Sequence, residues 1–341
     1  MKKEKFLDRL YEREGNKITC QVCQRGCSLA EGQSGYCSGY ANEAGEFVDL
    51  TYGRITTAQV TELGWAPVEM FDKPDTKILS VGSRGCNFYC RGCVNREHSG
   101  ARHDRKVLTE QIVEPKVLIE YAKALGCEGV AANFNEALLA ALYWRDIFEL
   151  AKREGLFTVA VTNGYSSRQA LDLICPNLDV YRCDIKAISP KAMGAQAVGI
   201  SPKGVLKSLK YIRKKYPKVH IEAVTMVVPE VNDCVAELEG IAGWVGGNLG
   251  RETPWHISPF ESMEGRSLNG APPYLTKEDL LDGNRVTASS IVFGSRGEVG
   301  LRAGDMGLDL CLPQEHPELE LAALIGREAG LENVFIKTDG H

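Results

Sequence analysis

The chain has 341 residues, of which 44% are hydrophobic and 25% charged, with a formal net charge of −5. This composition is ordinary for a globular protein and excludes bulk disorder. The acidic balance argues against a general nucleic-acid or anionic-membrane binder. No apolar run is long enough to span a bilayer. The basic residues at the start are followed by acids and not by an apolar core, unlike a signal peptide. A cytoplasmic protein with neither nucleic acid nor membrane as partner is therefore expected.

The unusual feature is the presence of twelve cysteines. In a reducing compartment, clustered cysteines more often bind metal or do redox chemistry than form disulfides. Cys20, Cys23, Cys27 and Cys37 form one group, and Cys86, Cys90 and Cys93 another. Cys127, Cys175, Cys183, Cys234 and Cys311 are scattered and read as small buried hydrophobes.

In chain order, residues 1–76 are expected to form a cysteine-rich N-terminal module. Phe6, Leu7 and Leu10 suit a short amphipathic helix. The rest is glycine-rich with little periodicity and reads as loops held by something other than a core. Its four cysteines make a complete four-thiolate set. Zinc would close such a site tetrahedrally, and an auxiliary iron–sulfur cluster is equally compatible with it. Stapling of a coreless segment is the expected role.

From Lys77 the texture changes. Strands are expected at 78–81, 129–132, 157–162, 180–185, 219–228 and 254–257. Helices are expected between them at 115–125, 136–154, 167–175, 201–216 and 235–245, with Pro176 stopping the third. Alternation of this kind signals βα units and a parallel sheet. Six strands are too few for a closed eight-stranded barrel. The expected fold is α/β, an open, partial TIM-type (β/α)6 barrel over 77–260 with a C-terminal extension at 261–341. The extension predicts a helix at 318–329 and a strand at 334–337; the order of elements in the Gly- and Pro-rich stretch 261–317 is left open. Lys207, Lys210, Arg213, Lys214, Lys215 and Lys218 read as a solvated outer face.

The most informative stretch is Ser83-Arg84-Gly85-Cys86-Asn87-Phe88-Tyr89-Cys90-Arg91-Gly92-Cys93, directly after the first barrel strand. In a parallel barrel the loops after the strands build the active face. Three thiolates on one loop can hold three irons of a 4Fe–4S cube and leave the fourth iron open. A structural zinc site would want four protein ligands. The alternative is a zinc knuckle completed by a residue such as His98 or His103.

This spacing resembles the radical S-adenosylmethionine (SAM) superfamily. Further segments resemble its pyruvate formate-lyase-activating-enzyme-like branch, most closely the radical SAM enzymes of the AmmeMemoRadiSam system. These are the run from Gly129 to Asn135 and Glu136, then Thr162-Asn163-Gly164, then Asp184-Ile185-Lys186. Val224 to Asp233, which includes Val228, and Trp255-His256-Ile257-Ser258-Pro259-Phe260 resemble later strand ends. The leader Cys20 to Cys37 also matches. The resemblance implies that Cys86, Cys90 and Cys93 hold the cluster and that SAM chelates the open iron. One electron then cleaves SAM, and a 5′-deoxyadenosyl radical abstracts hydrogen from the substrate. It further implies that Asn135, Glu136, Asn163, Asp184, Lys186, Val228 and His256 surround SAM. An electron donor such as a flavodoxin or ferredoxin is implied, together with a substrate that is a small molecule or a protein.

Each position also has a plainer reading. Glu136 can complement a helix N-terminus, and Thr-Asn-Gly is an ordinary turn signal. Asp184 and Lys186 alternate, so they share a face and can form a buried ion pair. His256 can be structural. Arg84, Arg91 and Arg96 can tune the cluster, bind the SAM carboxylate or simply be solvated. Gly92 stands where the family usually has an aromatic, which leaves Phe88 or Tyr89 to pack the adenine. Two alternatives stay open: an activating enzyme for a glycyl-radical enzyme, and a non-catalytic zinc-binding adaptor.

Overall fold

The structure, a computed structural model, describes residues 6–69, 71, 75–90, 93, 95, 112–197, 199–260, 274–275, 291–292 and 317–337. Among the described residues a 3-10 turn at Asp8–Leu10 precedes the first strand. Strands β1 (Tyr11–Glu14), β2 (Lys17–Cys20) and β3 (Ser28–Leu29) form a small antiparallel sheet, and β4 (Tyr40–Glu43) and β5 (Glu46–Asp49) a hairpin. Ala44 and Gly45, at φ 51° and 81°, form the hairpin's two-residue turn. Two left-handed residues there match the twist of the flanking strands.

These elements correct the expectation of coreless loops. Leu10, Ile18, Val22, Leu29, Tyr40 and Phe47 are buried and continuous with the barrel core. Tyr40 stacks on Phe47 and donates to Leu139 O at 2.6 Å. The strands are too short, between glycines, to show a period of two.

Next come β6 (Ile55–Glu62), β7 (Lys77–Ser83), α1 (Pro115–Ala124), β8 (Gly129–Ala132) and α2 (Ala141–Arg153). They are followed by β9 (Phe157–Thr162), α3 (Arg168–Ile174), β10 (Val180–Asp184), α4 (Pro190–Gln196) and α5 (Pro202–Lys215). The barrel ends with β11 (His220–Val227), α6 (Val235–Asn248) and β12 (Trp255–Pro259). Strands β7 to β12 are neighbours in chain order and all parallel, the open (β/α)6 arrangement. Buried on both faces, they read as continuous apolar runs; every residue of β8 is buried.

Two elements of the barrel region lie outside the sequence expectation. Strand β6 adds antiparallel to β7, with an irregularity between Ile55 and Thr57. Helix α4 is short, capped by Ser189, whose hydroxyl accepts from Ala192 N at 3.2 Å, with Pro190 at its first position. The helix expected from 136 begins only at Ala141, after a 3-10 turn at Ala137–Leu139.

Short strands β13 (Tyr274–Leu275) and β14 (Ile291–Val292) extend the sheet beyond β6. Helix α7 (Pro317–Glu328) leads to β15 (Val334–Ile336), which pairs parallel with β12. The rest of 261–316, including Cys311, lies outside the described residues. The basic run on and after α5 is exposed, as a solvated face should be. No helix among the described residues is long and apolar enough to cross a membrane.

Candidate active site

The ends of β7 to β11 and the loops after them assemble the site. Beyond β7, Gly85 takes φ 89°, and Cys86 follows, buried, with Cys90 and Cys93 less so. Burial pushes the Cys86 thiol up, while backbone N–H groups of Phe88 and Glu136 on its sulfur pull the other way. Burial raises the Cys90 thiol too, opposed by the Lys186 charge. Donors and a cation aimed at sulfur are what a thiolate iron ligand needs. Among the described residues no three His, Cys, Asp or Glu side chains converge on one point as ligands of a single ion. A cube takes one thiolate per iron, and the fit to three such ligands rests on the three thiols of this one loop with the donors and the cation beside them.

After β8 the chain turns sharply. Phe134 sits at φ 69°, costly for a bulky residue. The turn aims Asn135 at the cysteine loop: its amide nitrogen donates to Gly85 O, and its Oδ1 accepts from Ser83 N at 3.1 Å. Glu136 reaches across to the end of β9. Its two oxygens accept from Thr162 Oγ1 and Asn163 N, both at 2.7 Å. Burial raises the Glu136 carboxyl to about 7, although both hydrogen bonds favour its ionised form. It is not the cap of α2.

Asn163 donates to Asn87 Oδ1 at 2.8 Å, and its own Oδ1 accepts from Tyr165 N at 3.0 Å. At the end of β10, Asp184 pairs with Lys186 at 2.7 Å and with Arg182. Burial alone would raise the Asp184 carboxyl, but the Arg182 and Lys186 charges outweigh it and hold it below the usual range. Gln196, at the end of α4, donates to Lys186 O at 2.7 Å, and Ala197 forms a bridge with Cys90. Helix α4 thus seats the cysteine loop against the end of β10.

Val228 follows β11, and its N–H is taken by Asn232 Oδ1 at 2.6 Å. The Asn232 amide in turn donates to Lys186 O and Met226 O. His256 lies early in β12, in register with Val224, and its Nε2 bonds Glu222, which also bonds His220. Its ring stacks on Phe335, at 5.0 Å between centroids. The structure thus brings Asn135, Glu136, Asn163, Asp184 and Lys186 round the cysteine loop, with Val228 beside them. His256 is placed further down the strands.

Phe88 is buried edge-on against Tyr165, whereas Tyr89 is exposed. Arg91, Gly92, Arg96, His98 and His103 lie outside the described residues.

The leader segment docks directly on this site. Gln24 N donates to Tyr165 O at 3.0 Å, Ser167 N to Val22 O at 3.2 Å, and Arg25 Nε to Asn87 O at 2.6 Å.

The sequence of residues 80–242 matches the model of the radical SAM superfamily. This stretch is a radical SAM domain. Among curated relatives, an uncharacterized protein of Methanocaldococcus jannaschii is 28% identical over 260 residues, covering 76% of this chain and 74% of that one. Pyruvate formate-lyase 1-activating enzyme of Escherichia coli is 30% identical over 164 residues, covering 48% of this chain and 65% of that one. The chain thus spans just under two thirds of the activating enzyme's length. A solved domain of a pyruvate-formate lyase-activating enzyme from Bacteroides vulgatus overlaps 61% of this chain and 98% of its own, with 11% identity and a TM-score of 0.41.

Within the radical SAM domain, sequence reasoning passed over several groups. Asn87 stood inside the quoted motif without a role, yet it is fully buried. Arg182 lies two residues before Asp184 on the same face, the spacing that paired Lys186 with it. Ser189-Pro190 was a readable helix start.

Proposed function

We propose that this protein is a radical SAM enzyme, with Cys86, Cys90 and Cys93 holding a 4Fe–4S cluster. The observation that carries the reading is convergence. A three-cysteine loop leaves β7 where the ends of β8, β9 and β10 bring Glu136, Asn163, Asp184 and Lys186. When bound, the cluster and SAM supply one-electron cleavage to a 5′-deoxyadenosyl radical, which abstracts hydrogen from the substrate.

The chain's own residues do the rest. Asn135 fixes the turn of the loop at Gly85. Glu136 and Asn163 present an acceptor pair to the SAM ammonium. Asp184, kept ionised by Arg182 and Lys186, offers a carboxylate to the ribose. Lys186 sets a positive charge beside Cys90. The Val228 backbone completes the set of SAM-facing groups; His256, which the family resemblance also implies, is bonded to Glu222 further down the strands and stands apart from it.

Residues 1–76 act as a leader module, 77–260 as the catalytic barrel and 261–341 as an extension. The four leader cysteines hold a metal of their own, as zinc or a second cluster. A flavodoxin or ferredoxin supplies the electron in the cytoplasm. The substrate is a small molecule or a protein. The match to an activating enzyme favours a second reading, in which that protein is a glycyl-radical enzyme.

The test is anaerobic reconstitution with iron and sulfide, then dithionite reduction with SAM. 5′-Deoxyadenosine should form. Colourless protein that holds only zinc and leaves SAM intact would return the reading to a zinc-binding adaptor.

A further inference from the structure

A row of buried polar side chains lies below the groups proposed to surround SAM. Along β10, Val180, Arg182 and Asp184 alternate, so all three share the face that carries Asp184 into the site. The register sets Val159 and Val161 of β9 beside Val180 and Arg182, and His220 and Glu222 of β11 on their other side. His256 of β12 stands beside Val224, the next residue of β11 on that face. At the lower end Val159 and Val180 pack with Ile78, Leu63, Ala66 and Val68 in an apolar cluster separate from the main core. This face therefore has an apolar floor, then the row of Arg182, Glu222 and His256, then the SAM-facing groups.

The row is buried: Glu222 and His256 are 0% exposed and Arg182 9%. Glu222 accepts hydrogen bonds from the His256 and His220 rings and from Glu69 N, the last at 3.1 Å. The bond to Glu222 uses the Nε2–H of a neutral His256 ring and leaves Nδ1 as an acceptor. That Nδ1 is buried with no hydrogen-bond partner. Arg182 gives a terminal nitrogen to Asp184, while its Nε, a donor, is likewise buried without a partner. Unpaired buried polar atoms are few in native proteins and call for an explanation. Here an acceptor and a donor share one face, on the strands either side of β11.

The charges around the row are already balanced. Arg182 and Lys186 flank Asp184, and Lys337, whose charge reaches His256 together with that of Arg182, pairs with Glu69. Arg182, Lys186 and Lys337 are thus matched one for one by Asp184, Glu69 and Glu222. A carboxylate or ammonium brought into the row would have no counter-charge, which burial makes costly. An uncharged group with both an oxygen acceptor and a hydrogen-bond donor fits.

We propose that Arg182 Nε and His256 Nδ1 together hold the substrate through one uncharged hydroxyl or amide group. Its oxygen accepts from Arg182, and its O–H or N–H donates to His256. Glu222 is a positioning residue: by taking the Nε2 proton it fixes Nδ1 as the acceptor. The inference rests on the radical SAM reading and deepens it, because the row lies on the same strand face as Asp184, one step below.

The experiment is nitrogen-15 NMR of full-length, histidine-labelled protein, reconstituted anaerobically and supplied with SAM but no reductant. His256→Gln identifies the His256 signals by their loss. Should that variant not fold, the through-space contact with the Phe335 ring identifies them instead. Ethylene glycol, N-methylacetamide and acetate are the probes. The free protein should show His256 as the Nε2–H tautomer. Ethylene glycol or N-methylacetamide should move the Nδ1 signal saturably, and acetate should not. The tighter of the two neutral probes separates hydroxyl from amide. Arg182→Lys keeps a cation beside Asp184 but has no Nε–H. It should weaken the response to the neutral probes by roughly tenfold, as for one lost hydrogen bond.

A signal that no probe moves, or an Nδ1–H tautomer, would overturn the substrate role and leave the pair to packing or a buried water. A shift with acetate would overturn the uncharged class, and an undiminished response in Arg182→Lys would remove Arg182. Should Arg182→Lys not fold, the wild-type titrations decide alone. The same wild-type preparation is then reduced and assayed for 5′-deoxyadenosine. If it forms while no probe moves His256, this inference alone fails. If none forms, the radical SAM reading fails and the substrate role falls with it, whatever the probes do.

Discussion

Asn163 and Asn87 share a buried hydrogen bond of 2.8 Å that joins the end of β9 to the middle of the cysteine loop. On one side Asn163 is held by Glu136, on the other Asn87 is held by Arg25 and Cys23. A leader cysteine and the acid after β8 are thus linked through two amides. Asn163→Ala leaves Asn87 Oδ1 buried without this donor. An unsatisfied buried polar group costs about 1–3 kcal/mol. A lower melting temperature and weaker SAM binding are expected, with iron content kept, as checked by thermal unfolding and equilibrium dialysis.

Cys90→Ala removes one of three thiolates from the loop. A cube held by two protein ligands is not retained in a poised state. SAM cleavage should fall to background in a 5′-deoxyadenosine assay. Near-normal cleavage would place the cluster elsewhere.

Asp184 sits between two cations, Arg182 and Lys186. Asp184→Ala strands both charges in a part-buried setting, at a cost below the about 3–5 kcal/mol typical of breaking a fully buried pair. Asp184→Asn keeps the shape and hydrogen-bonding capacity. The alanine variant is therefore expected to lose stability and the asparagine variant mainly SAM affinity, by roughly tenfold to hundredfold for a lost polar contact of about 1–3 kcal/mol. Calorimetry on both variants separates these effects. Unchanged SAM affinity in Asp184→Asn would move Asp184 out of the pocket.

The barrel was legible because its strands are buried on both faces, so apolar runs at 78–81, 129–132 and 157–162 stand out between amphipathic helices. The pairing of Asp184 with Lys186 followed from the period of a strand. Leader packing was not legible, because a strand as short as Ser28–Leu29 carries no period and its core partners come from the barrel. The role of Asn87 was not legible either. Its partners Asn163, Tyr165, Arg25 and Cys23 lie far along the chain in both directions, and only the fold brings them together.

Gly85→Ala should separate the leader from the loop. The position has φ 89°, which L side chains rarely adopt, and the new methyl would meet Cys37 O at 2.4 Å. Backbone cannot yield as a flexible side chain can, so the loop must shift. Reduced iron content and faster proteolysis within residues 1–50 are expected. A variant with wild-type iron content and protease resistance would show that the contact is dispensable.

The Glu222 and His256 pair sets an acid limit to stability. Burial alone would raise the Glu222 carboxyl, but hydrogen bonds from His220 and His256 and the N–H of Glu69 hold it at about 2. Burial lowers His256, with the Arg182 and Lys337 charges adding to that, against the pull of Glu222. The folded pair is therefore a neutral imidazole donating to a carboxylate. In the unfolded chain His256 takes its proton near 6.5 and Glu222 near 4.3. Both folded values lie below these, so the unfolded state binds more protons as pH falls. Stability is present above about pH 6.5, begins to decline below it as His256 protonates in the unfolded chain, and declines further below about 4.3 through Glu222. His256→Gln should flatten the upper part of a melting-temperature profile between pH 8 and 4 relative to wild type, and Glu222→Gln the lower. A profile with the same slope in both variants would assign the acid sensitivity to other groups.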